Sequence, residues 1–359
     1  MQKKWLALAA ASALVMMSGC GAMSSEAPSL SESASQSASQ SVSSDVSQPQ
    51  AAPVKIVVSE VARSVFYAPQ YAAVTQGFFA QEGLDVSIVT DNGADKVMTA
   101  VVAGQADIGF SGPEACIYVA AEGREDHAVV FAQLTQRDGA FLVGREPLEG
   151  EFDWSTLADS HLIGGRAGGV PLMTLEYVLR QKGLDPEADL YVDSSVQFAL
   201  MAGAFTGGQG DYVALFEPTA SSVEREGKGY VLASIGEESG ELPYTCYYAN
   251  KSWLTENADT AQAFTNAVYK GQKWVSEHSP EEIAAAIASF FPDTDMDLLV
   301  SSCARHKEIE AFAATPVMKE EAFSRLQDVI EQAGELKQRA DFSALVDNSF
   351  AEAAVRAIG

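Results

Sequence analysis

The chain has 359 residues, 47% of them hydrophobic and 9% aromatic, with 23 Lys and Arg against 49 Asp and Glu for a formal net charge of -26. That apolar content is ordinary for a packed protein, and the length allows one two-lobed unit or two small domains behind a leader. The negative charge argues against nucleic acid or an anionic membrane surface as partner, while leaving room for a local pocket of opposite sign.

The chain begins "MQKKWLALAAASALVMMSGC", two lysines ahead of an apolar run from Trp5 to Met17 and then Ser-Gly-Cys. The run is too short to span a bilayer comfortably and has the layout of a secretory signal over residues 1–20. "MSGC" resembles a lipoprotein signal-peptidase site, with Met17 where Leu is commoner. The resemblance implies cleavage before Cys20 and lipidation of its thiol; the plainer alternative is an ordinary signal with an incidental cysteine. Residues 21–53 are almost all Ser, Ala, Gln, Glu and Pro, too poor in large apolar groups to offset the entropy of ordering. They read as a disordered tether that lets a folded domain reach a partner from the membrane.

From residue 54 onward, strand and helix patterns alternate. "VKIVVSE" is a short apolar run, hence a buried strand, and Ala68 to Gln76 is helical until Gly77 stops it. "LDVSIVT" sets Leu84, Val86 and Ile88 against Asp85, Ser87 and Thr90, the period of a strand. Ala94 to Ala103 is a helix with Val97, Met98, Val101 and Val102 on one stripe; "ADIGFSG", "AVVFAQLT" and "AFLVGR" follow as strands. The pattern then restarts: strand "HLIGG", helix Pro171 to Lys182, strand "DLYVD", helix "VQFALMAGAF", strand "DYVALF", helix Pro218 to Glu226, strand "GYVLASI". "YTCYYANKSWL" reads as a returning strand, and "TAQAFTNAVYKGQKWVSEH", "PEEIAAAIASFF" and "KEEAFSRLQDVIEQAG" as amphipathic helices, the second opened by Ser279 and Pro280. This order predicts an α/β protein of two lobes, each an open, mainly parallel sheet flanked by helices. Residues 54–144 and 237–359 form lobe one, and residues 145–236 are a second lobe inserted into it, so that a double crossing makes a hinge. Cys116, Cys246 and Cys303 cannot all pair and show no CxxC spacing, and His127, His161, His278 and His306 are scattered, read as surface or loop histidines. Neither a disulfide framework nor a metal site is expected, and no cofactor.

"YAPQYAAVTQGFFAQEGLDVSI", "VMTAVVAGQADIGFSG" and "NKSWLTENADTAQAFTNAVYKG" together resemble the family of solute-binding proteins for nitrate, alkanesulfonates and the thiamine pyrimidine precursor, over nearly all of residues 54–334. The resemblance implies a type II periplasmic-binding-protein-like fold, closing on a small molecule that is handed to an ABC transporter permease. Together with the lipoprotein-like signal ending at Cys20, the expectation is a lipid-anchored monomer on the extracytoplasmic face of the membrane. It does not choose the ligand: a thiamine pyrimidine precursor or related heteroaromatic is the first expectation, a sulfonate- or nitrate-type anion the second. An enzyme branch of the family makes the pyrimidine from its own histidine and pyridoxal phosphate. Its Lys and His fall here on Ser111 and Ala115, and its cysteine-rich run on "YTCYYA", so a binding protein rather than an enzyme is expected.

In open α/β sheets ligands sit at the carboxyl ends of strands, which selects a few loops. After the first strand come Arg63, Ser64, Phe66 and Tyr67, at the front of a helix whose free N–H groups can face a cleft; the two aromatics serve equally well as core. "FSGPEAC" offers Ser111 and Gly112 as backbone donors, with Glu114 either a ligand contact or a partner of the helix dipole. "GGRAGGVP" puts Gly164, Gly165, Gly168 and Gly169 and Arg166 ahead of a helix, an anion site in form or a tight turn with a solvated arginine. Glu217, at a strand end before Pro218, matches an acidic position of the pyrimidine branch and can read an aminopyrimidine edge or stand exposed. Gln197 and Phe198 are weaker candidates, and Tyr244 and Thr245 lie where the chain recrosses between the lobes.

Overall fold

The computed structural model describes residues 52–359; the signal segment, Cys20 and nearly all of the tether lie outside them. Ten strands form two five-stranded sheets. In chain order they are β1 (Val54–Glu60), β2 (Leu84–Thr90), β3 (Ile108–Ser111), β4 (Ala128–Thr135), β5 (Ala140–Gly144), β6 (His161–Ile163), β7 (Tyr191–Asp193), β8 (Tyr212–Phe216), β9 (Tyr230–Ser234) and β10 (Thr245–Asn250). The first sheet runs β2-β1-β3-β10-β4 and the second β7-β6-β8-β5-β9. Each contains one reversed strand, β10 in the first and β5 in the second, and the remaining pairings are parallel. The protein is thus a two-lobed α/β fold of the periplasmic-binding type.

Hydropathy explains the strands' places. β4 is buried along its whole length, as its continuous apolar run requires, and the chain near Val346 pairs along its outer edge. β2 alternates between inward and outward residues, and its outward side faces solvent. One sequence boundary moves: β5, read with the first lobe, pairs with β8 and β9 of the second sheet. The chain therefore crosses at residues 136–139, because Ala140 to Gly144 supplies the reversed strand on which the second core condenses. It recrosses before Thr245. The two crossings run side by side, with the Leu242 amide donating to Gln136 O at 2.9 Å and the Thr245 amide to the Thr135 hydroxyl at 2.9 Å.

Of three helical segments beyond β10, the last two reach the second lobe. Pro280–Ile287 begins with a full capping box between Ser279 and Glu282. The helix Met296–Glu308 lies against both the turn Val65–Tyr67 and the second-lobe helix Thr219–Arg225, and Glu320–Gln332 packs on the second-lobe helix Val170–Gln181. No helix among the described residues is long and apolar enough to cross a membrane.

Candidate functional site

Strand ends from both sheets converge at the hinge. In the first sheet Ser111 faces Cys246 and Thr135 faces Thr245, so the exits of β3 and β4 and the entrance of β10 share one edge. In the second, Ala140 faces Phe216, which brings the start of β5 to the exit of β8. Three residues past Ser111 stands Glu114; three past Thr135 stands Asp138; one before Thr245 stands Tyr244.

The front of the first helix reaches this edge. Ser64 caps the 3-10 turn Val65–Tyr67 by accepting from the Phe66 amide at 3.2 Å and donates to the Glu217 carbonyl of the other lobe at 2.9 Å. Phe66 is fully buried and sits on the first crossing: a Cβ on Gly139 would lie 2.7 Å from its ring. It also contacts Tyr244 edge-on, at 5.6 Å between centroids. Tyr67 stands edge-on to Phe110 at 4.7 Å. Burial drives the Tyr67 and Tyr244 hydroxyls well above the usual phenol range, with the charges of Glu114 and Asp138 adding to the effect on both.

Two carboxyls at this edge are buried and incompletely paired. Burial pushes Glu114 up to about 7 against its backbone hydrogen bonds and the Arg166 charge. Its carboxylate folds back over the preceding loop, since a Cβ on Gly112 would lie 2.0 Å from Glu114 Oε2. Burial also pushes Asp138 up to about 7, against its Oδ1 accepting from the Ala140 amide at 2.7 Å and the Tyr244 side chain that faces it. Ser111 spends its hydroxyl on Tyr248 at 2.7 Å.

Other sequence candidates have internal duties. Arg63 is drawn to Glu60 at 3.0 Å and lies over Tyr71 and Phe290. Burial raises Glu60, while Thr90, Arg63, Tyr71 and Gln70 act the other way. The Glu217 carboxylate, expected as an exposed or ligand-reading group, is buried and occupied. It accepts from the Ser221 amide at 3.0 Å, the Ser221 hydroxyl at 2.7 Å, Ser302 at 3.3 Å and Arg305 at 2.9 Å. Arg166 is 57% exposed and pairs across the lobes with Asp95 at 3.3 Å. Its loop contains two glycines at positive φ, Gly165 at 105° and Gly168 at 73°, and Gly169 caps the helix that follows. Gln197 and Phe198 are exposed, Phe198 lying against Phe216 at the rim.

The NMT1-like family model matches residues 51–289, most of the chain. The chain belongs to the NMT1-like family. Among its relatives is YtlA of Bacillus subtilis (strain 168), named as a candidate binding protein, 45% identical over 298 residues that cover 83% of this chain and 89% of the relative. Solved structures share the fold at lower identity. The alkanesulfonate-binding protein SsuA of Xanthomonas axonopodis pv. citri, bound to MOPS, superposes with a TM-score of 0.66 at 15% identity, covering 83% of this chain and 100% of that one. The periplasmic nitrate-binding protein NrtA of Synechocystis PCC 6803 gives 0.66 at 16% identity, covering 85% and 89%.

In this NMT1-like chain three residues at or beside the hinge escape a reading by motif. Asp138 follows a strand with no helix start to mark it, Gly139 beside it reading as a plain turn into the next strand. Arg305 lies on the helix Met296–Glu308, which no apolar stripe announces. His306, read as a surface or loop histidine, is fully buried; burial and the neighbouring Arg305 push its imidazole down to about 3, so the ring is neutral beside Phe66 at 5.1 Å. The thiols of Cys116, Cys246 and Cys303 are buried, and none forms a disulfide among the described residues.

Proposed function

We propose that this protein is the extracytoplasmic solute-binding component of an ABC importer, tethered by a lipidated Cys20, which captures a small heteroaromatic solute between its lobes and passes it to a permease. One observation carries the reading: strand ends of both lobes meet at a hinge lined by Phe66, Tyr67, Phe216 and Tyr244. Relatives with binding names and structures of binding proteins support it. An anion ligand draws on the Arg166 loop, but that guanidinium is largely solvated and already paired. Fold alone does not separate binding from turnover, and the binding reading expects no product to form from the captured molecule.

Full-length protein purified from its own host should carry a small molecule detectable by native mass spectrometry. Rebinding that molecule should compact the scattering profile and stabilise the fold by about 2.7 kcal/mol at a hundredfold excess over Kd. Scattering unchanged at saturation would rule out hinge closure. Cys20→Ala should release the exported protein from membranes on fractionation; retention in the membrane pellet would defeat the lipid anchor.

A further inference from the structure

Three buried polar atoms at the converged strand ends have no well-formed hydrogen bond among the described residues: Glu114 Oε2, which stands alone, and Asp138 Oδ2 and the Tyr244 hydroxyl, whose side chains face each other. Their residues are 4%, 0% and 5% exposed. Buried polar groups left unpaired are uncommon and costly, and several at one place mark a site that something else completes. Two are carboxylate oxygens, which in their charged form only accept.

We propose that Asp138 and Glu114 are the two acceptor arms of a site for a ligand with a cationic nitrogen group, whether a protonated amine, an amidine or a protonated aminoheterocycle. The proposal rests on the importer-binding reading and adds to it the chemical class and the residues. Asp138 lies on the first crossing and Glu114 at the start of the first-lobe helix Glu114–Ala121, so a ligand between them touches the moving hinge and a fixed lobe. Tyr67 and Tyr244 both stand on the Phe66 ring, at 5.5 and 5.6 Å between centroids, and the Tyr244 side chain faces Asp138. Aromatic rings there favour a flat or cationic group. Among the described residues, Arg166 is the cation that acts on Glu114, and none acts on Asp138. Above about pH 7, where both carboxyls are charged, a sulfonate or nitrate would set its oxygens against two acceptors and its charge against theirs.

Proton exchange gives the proposal a signature. Both carboxyls hold protons up to about pH 7, so a cation must displace them when it binds below that pH. Affinity therefore rises with pH through this range. The other groups facing the pair are Tyr67, Tyr244, Tyr118, Cys116, Cys246 and Arg166. Burial raises the phenols and thiols, and arginine stays charged, so none of the six titrates near neutrality.

The test is calorimetry of full-length protein, stripped of bound molecules by refolding, against benzamidinium, an aminopyrimidine, butanesulfonate and nitrate, with the host-derived molecule identified in parallel by native mass spectrometry. Benzamidinium keeps its charge across the pH range, so its profile reports the protein alone. A cationic or protonatable nitrogen ligand should bind, and both anions should not. Benzamidinium affinity should fall about a hundredfold from pH 8 to pH 6, about tenfold for each carboxyl that must give up its proton. Asp138→Asn and Glu114→Gln keep the shape and remove the charge. Each should weaken cation binding about thirtyfold, the worth of a charge-assisted hydrogen bond. Circular dichroism and thermal melting of both variants should match or exceed wild type, since a buried charge is gone. Loss of fold in both would show that the carboxylates are structural and would overturn the proposal. Anion binding, a host-derived anion, or cation binding indifferent to both substitutions would overturn it and leave the importer reading standing. Failure of every probe together with no co-purifying molecule would sink both.

Discussion

Arg305→Ala should destabilise the protein by about 3 kcal/mol, among the largest single-residue losses outside the apolar core. Arg305 is the cation that meets Glu217, whose side chain has no exposure, and it also reaches Glu224 and the Ser221 hydroxyl. Removing it leaves a buried carboxylate held by Ser221 and Ser302 alone. Breaking such a pair from one side costs about 3–5 kcal/mol; the lower end applies because the arginine side chain is itself 25% exposed. The loss also reaches the hinge, because the Glu217 carbonyl accepts from Ser64 at the head of the first helix. Glu217→Gln in the Arg305→Ala background should restore much of the stability, since it removes the stranded charge. Urea unfolding of the two single variants and the double variant measures this directly. An Arg305→Ala midpoint equal to that of wild type would show that the pair contributes nothing to holding the lobes.

The same pair shows why part of the site was hidden from sequence. β1 to β4 and the crossover helices were legible because their buried faces are apolar and keep a strand or helix period. The helix Met296–Glu308 buries Leu298, Leu299, Ser302, Cys303 and His306. The spacing is helical, but the last part of that face is polar, so no hydropathy stripe announces it. Glu217 was selected correctly as a strand-end carboxylate, yet its role depended on a partner 88 residues away on that unmarked helix. Asp138 was missed for the opposite reason. Strands that lead into helices announce their ends by the helix start, whereas β4 leads into a hinge. Register makes the difference visible: Thr135 faces Thr245 across the sheet, and from there both crossings turn toward the other lobe.

Gly236→Ala should be the most damaging of the conservative glycine substitutions near the site, costing about 3 kcal/mol. Gly236 is buried in the short helix Ile235–Ser239 that follows β9. A Cβ built there lies 2.0 Å from the Asp138 carbonyl oxygen and 3.1 Å from the Asp138 nitrogen. These are backbone atoms of the first crossing, and no rotamer change can move them. Relief requires the crossing itself to shift, and with it the Asp138 carboxyl and the Phe66 ring that lies on Gly139. Stability and ligand affinity should therefore fall together. Gly203→Ala is the matched control: Gly203 is helical, and its added methyl meets nothing within 4 Å. By reducing the freedom of the unfolded chain it should leave stability unchanged or raise it by up to about 1 kcal/mol. Thermal melts of the two variants, with calorimetry on whichever ligand co-purifies, check both halves. A Gly236→Ala protein as stable as Gly203→Ala, with unchanged affinity, would mean that the crossing yields freely and that the position of Asp138 is not fixed by this contact.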